Sequence, residues 1–178
     1  LDVLSIVVCI MIFIIGWHSY QYNQLPFVLL IAVPFLEVSL LDLVHMLFFL
    51  GMPEWLAADS PRKEAYYWLW ARWIESLSIL VSLLWPWQRV QHPWFKQALI
   101  LACIFSLVLI FGIDLLGEVF FPQFFGERLA AFREELGLGV IAIHLWAAWI
   151  VLRNGRLPAI LRSHFVMLFL LVSGMAEV

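Results

Sequence analysis

Residues 41 to 46 read LDLVHM, which sets an acid, Asp42, and a base, His45, three positions apart in an apolar run. In that run, Leu25 to Met52, the remaining ionisable residue is Glu37. A second pair, Arg72 and Glu75, stands in WLWARWIESLSILV, and Asp114 and His144 lie in two further apolar stretches. Carboxylate, imidazole and guanidinium in such surroundings support three kinds of chemistry. The first is a buried polar cluster that takes a ligand or ion and changes the packing around it. The second is a metal centre: His45 and His144 with Glu75 or Asp42 supply the usual imidazole and carboxylate donors for a divalent ion, and two histidines on facing helices can ligate a haem iron. The third is proton movement in a transporter or intramembrane enzyme, built on His45, Asp42 and Glu75. The chain has no HExxH, GxSxG or paired-aspartate signature, and Pro34 alone does not make the paired broken helices of many transporters.

The elements that must hold these side chains follow from composition. Of 178 residues, 65% are hydrophobic and 13% charged, and the mean hydropathy is +0.98. Soluble domains carry about a quarter charged residues, so the main solvent here is lipid. The net charge of −3 comes without a basic patch, which excludes nucleic acid as a partner. Cys9 and Cys103 lie in apolar runs without CxxC spacing and read as packing or lipid-facing residues. The N-terminal stretch has no basic flank and no small-residue cleavage site, so it does not read as a signal peptide.

A hydrocarbon core of about 30 Å needs about 20 helical residues. Six stretches qualify, at 2–20, 26–50, 65–86, 95–115, 137–153 and 159–177. The expected fold is therefore an all-α, polytopic membrane helical bundle, a single domain over residues 1–178. Between the fourth and fifth spans, Leu129, Phe132 and Leu136 recur at helical spacing opposite charges and predict a short interfacial helix. The 153–162 connection carries three arginines and no acid, which places it in the cytoplasm. Both termini then lie outside, so a seventh helix is expected to follow Val178 before any cytoplasmic domain.

That orientation gives each polar residue a height. At 1.5 Å per residue, Asp42 and His45 stand about 6 and 10 Å above the midplane, with Glu37 near it. Arg72 and Glu75 stand roughly 5 and 1 Å above it. His144 falls in the same outer half and Asp114 caps the outer end of its span. At 100° per residue, Glu37, Asp42 and His45 share one side of their helix. Ionisable groups cost about 2.5 kcal/mol or more at the bilayer centre and survive there by facing inward and pairing. Asp42 with Arg72 is the expected pair, with Glu75 on the other side of the guanidinium or orienting His45.

The stretch LLDLVHMLFFLGM, followed about 20 residues later by WLWARWIESLSILV, resembles the MASE3 family of bacterial membrane-associated sensory domains. Asp42, His45, Gly51, Met52, Arg72, Glu75 and Ser76 match its motifs position by position. A related class, MASE4, has a similar Asp-x-x-His motif. The resemblance implies a non-catalytic input module in the bacterial inner membrane, joined covalently to a cytoplasmic output domain of a histidine kinase or diguanylate cyclase. The partners expected are the lipid bilayer, that output domain and a second copy of the chain. The expected ligand-binding or coupling residues are Asp42, His45, Arg72, Glu75, Glu37, Asp114 and His144.

Overall fold

A computed structural model describes residues 2–49, 60–85, 94–120 and 129–153. They form five helices: α1 (Asp2–Asn23), α2 (Pro26–Leu47), α3 (Pro61–Leu84), α4 (Trp94–Phe120) and α5 (Leu129–Arg153). No strand occurs among the described residues. Four of the helices are long and apolar enough to cross a membrane, over Val3–Tyr22, Pro26–Leu47, Trp94–Gly117 and Glu135–Arg153. The helix expected over 65–86 is present as α3, but Arg62, Lys63, Glu64, Arg72 and Glu75 keep it outside that apolar class. Among the described residues four helices thus meet the measure of a span, and the expectation of six is not supported; the stretch 159–177 lies outside the described residues. The interfacial helix expected near 129–136 is not separate. It is the first part of α5, which no proline interrupts, and it runs straight through Gly137 and Gly139.

Local chemistry sets the helix ends. Gln24 takes a positive φ of 52° and its N–H donates to Tyr20 O at 3.0 Å, which closes α1. Leu25 is extended, and Pro26 starts α2 where its missing N–H removes no helical bond. A two-residue link therefore turns α1 back along α2. Ser60 caps α3 by accepting from Lys63 N at 3.4 Å, with Pro61 at the first helical position and Glu64 in the first turn.

α2 is the central helix, packed against α1, α3 and α4, while α3 also packs against α5. α1 and α2 meet at Gly16, where a Cβ would lie 2.5 Å from Ala32 Cβ. Close backbone approach through small residues is the usual way to gain packing contact in lipid. Where α3 meets α5, Gly139 faces the Trp73 ring edge, 3.1 Å from where its own Cβ would stand. Two apolar clusters fill the interior. Tyr20, Leu29, Leu30, Val33 and Phe95 form one, at the α1–α2 turn. Cys9, Phe35, Val38, Leu41, Tyr66, Tyr67, Ala71 and Ile110 form the other, further along α2. Pro34 stands in α2 between the two sets. Outward faces of α1, α4 and α5 expose Ile15, Leu101, Val108 and Leu145, as helices bathed in lipid do.

Candidate functional site

Among the buried residues of α2 and α3 are three charged side chains that meet directly. Arg72, Asp42 and Glu75 are 7%, 3% and 2% exposed. Arg72 Nη2 donates to both oxygens of Asp42, at 2.7 Å each. Its Nη1 donates to Glu75 Oε2 at 2.5 Å, one turn along the same helix. The guanidinium thus lies between two carboxylates, and it joins α2 to α3. Nε of Arg72 is buried and has no hydrogen-bond partner among the described residues.

Two neighbours of this centre come from α1. Ser5 Oγ donates to Asp42 Oδ2 at 3.1 Å. Cys9 is buried one turn further along, within electrostatic range of Asp42, Arg72 and Glu75. Neither was expected, because α1 carries no charge within its apolar run. Their four-residue spacing, a hydroxyl and a thiol on one face of an otherwise aliphatic segment, is the signal that could have found them. From α5, His144 is buried and within electrostatic range of Arg72. Its Nδ1 donates to Val140 O at 3.0 Å.

The other expected site residues stand apart. His45 Nδ1 donates to Glu64 O at 2.8 Å, in the first turn of α3. Arg72 is eight residues further on, about 12 Å along the helix, so His45 closes the α2–α3 end instead of joining the ion cluster. Asp114 anchors a second cluster at that end. Tyr67 Oη donates to its Oδ2 at 2.9 Å, while Arg62 and Lys63 approach it at 3.7 and 3.6 Å. Tyr66 Oη donates to Ile110 O beside it at 2.9 Å, so two tyrosines bridge α3 to α4. Phe48 stacks on Tyr67 and lies under Lys63. Glu37 is buried against α4, with Ser106 and Cys103 in hydrogen-bonding reach of its carboxyl group. Its Oε1 has no partner among the described residues.

The metal set expected from His45, His144 and Glu75 is not assembled. Among the described residues no three His, Cys, Asp or Glu side chains are placed to hold a metal ion. The reason is local: Glu75 is turned onto Arg72, and His45 is held at Glu64 O, about three turns of α3 from Glu75. What the arrangement can do is electrostatic. Any change of charge at Asp42, Arg72 or Glu75 alters the attraction between α1, α2 and α3 where water is scarce and screening is weak.

No curated protein and no solved structure matches the chain. A family model, described as a membrane-associated sensor domain, matches residues 1–178. With a match over its whole length, and with the motif residues Asp42, Arg72 and Glu75 joined in one buried centre, the chain belongs to the MASE3 family of membrane-associated sensor domains.

Proposed function

We propose that the chain is the sensory input module of a bacterial signalling protein, that the Asp42–Arg72–Glu75 centre is its sensing or coupling site, and that α3 crosses the membrane beside the four apolar spans. The observation that carries this reading is the buried guanidinium held at once by an acid of its own helix and an acid of the next. Such a centre is a two-state element: a ligand or ion that favours one arrangement of α2 against α3 shifts the population of both helices. Ser5 extends the coupling to α1, and His144 brings α5 into its field. The module has no catalysis of its own and works on a covalently linked cytoplasmic output domain, of the histidine kinase or diguanylate cyclase type. It lies in the inner membrane, with the centre in the outer half of the bilayer, and it acts as a homodimer.

The test is made in the full-length protein. Arg72→Ala is expected to leave membrane insertion intact and to abolish the response of kinase or cyclase output to stimulus. His45→Ala is expected to weaken the response by loosening the α2–α3 end. If both variants insert and signal like the parent, the centre has no part in sensing.

A further inference from the structure

The centre contains two acids and one base. Asp42 and Glu75 both contact Arg72, and among the described residues no other base forms an ion pair with either of them. The hydrogen bonds are shared unequally. Asp42 receives Ser5 Oγ and both contacts from Nη2, whereas Glu75 receives Nη1 on Oε2. The surplus negative charge therefore falls on Glu75, which is 2% exposed. An uncompensated charge in such a place costs several kcal/mol, far more than a paired one.

The neighbours do not balance it. From α1 the centre faces the hydroxyl of Ser5 and the thiol of Cys9. Along α2 stand Glu37, a further acid, and His45, which is engaged with Glu64 O. On the α4 side Cys103 and Ser106 face Glu37, and Asp114 takes Arg62, Lys63 and Tyr67. On α3, Ser76 and Ser78 turn back to the carbonyls of Trp73 and Glu75. From α5 the centre faces His144, with Nδ1 on Val140 O. Among the described residues the fixed positive charges nearby are Arg62 and Lys63, which lie at Asp114 in the first turn of α3, and neither contacts Glu75.

We propose that Glu75 is the binding site of one singly charged cation, a proton or an alkali metal ion, and that this cation is what the sensor reads. This deepens the functional proposal above and rests on it. The two sources differ in what they need: a proton binds the carboxylate itself, whereas an alkali ion also needs oxygen donors around it.

The experiment follows thermal unfolding of the purified full-length protein in nanodiscs of neutral lipid. One series varies pH at fixed sodium; the other replaces sodium by choline at fixed pH. Once the site is saturated, a tenfold rise in the activity of the cation is expected to favour the folded state by about tenfold. A response in the pH series alone assigns a proton, and one in the sodium series assigns the metal ion. Glu75→Gln, which leaves one acid for one guanidinium, is expected to abolish either response. Should that variant fail to insert, Asp42→Asn restores the same balance and is expected to do likewise. A parent protein that responds in neither series, or a response that survives both substitutions, overturns the assignment. So does a pH response that survives Glu75→Gln but is lost in His144→Gln. Output measured on the same samples keeps the two proposals apart. Signalling lost in Arg72→Ala without any cation response leaves the sensor reading intact. A cation response in a protein whose output ignores Arg72→Ala and Glu75→Gln removes the sensor reading and keeps the site.

Discussion

Replacing Arg72 by methionine removes the charge and keeps most of the side chain's volume. With N–O contacts of 2.7 and 2.5 Å to Asp42 and Glu75, the charge centres stand about 4 Å apart. At an effective dielectric of about 20, each attraction is worth about 4 kcal/mol, and burial of the three groups offsets much of the total. The intact centre therefore adds little net stability. Taking the cation alone is different, because two carboxylates then share one buried place with nothing between them. The expected cost is about 3–5 kcal/mol, roughly two to three and a half orders of magnitude in the unfolding equilibrium. An ordinary interhelical hydrogen bond in a membrane protein is worth about 0.6 kcal/mol, so the charge effect stands well clear of it. Reversible unfolding in mixed micelles, followed by circular dichroism, measures it. The neutral triple variant, Arg72→Met with Asp42→Asn and Glu75→Gln, is expected to recover most of the loss, because no charge is left unpaired. A single variant as stable as the parent refutes the pairing. A triple variant as weak as the single one shows that shape, not charge, is the cause.

Gly16→Ala is expected to cost about 1–3 kcal/mol, because its Cβ would stand 2.5 Å from Ala32 Cβ and α1 must move outward; the same unfolding assay reads it. Gly139→Ala is expected to cost less, since its 3.1 Å neighbour is the edge of a half-buried Trp73 ring that can tilt. Tyr67→Phe deletes a hydrogen bond to a carboxylate and is expected to cost about 1.5–3 kcal/mol, with slower protease cleavage of the parent than of the variant near Asp114. Ser5→Ala is expected to leave insertion unchanged and to loosen α1 from Asp42, read as a larger spin-label distance spread between α1 and α2.

Much of the site was legible because a helix in lipid carries its own ruler. Depth at a fixed rise per residue placed Asp42 and Arg72 within reach of one another, and i,i+3 spacing placed Glu75 beside Arg72. Both contacts are present. Height alone, however, says nothing about which faces meet. His45 and Asp114 stand towards the α2–α3 end, where Glu64 O engages the one and Tyr67 the other, and the expected single level separates into two clusters. Ser5 and Cys9 escaped because small polar groups in an aliphatic run leave hydropathy almost unchanged. The helix expected around Leu129 to Leu136 is where it was expected, but its charges at Arg133, Glu134 and Glu135 do not set it apart, because a helical backbone continues through them into the apolar stretch.

Pro34 bears on how movement can pass along α2. Lacking an N–H, it leaves the Leu30 carbonyl without its helical donor, and helices bend most readily at such a place. The residues below it are gripped by Tyr20 and Phe95, and those above it by Tyr66, Tyr67 and Ile110. Under the function proposed above, a displacement of Asp42 meets this proline before it meets the α1–α2 turn. The form of movement that α2 then accommodates with least loss of packing is a bend at residue 34.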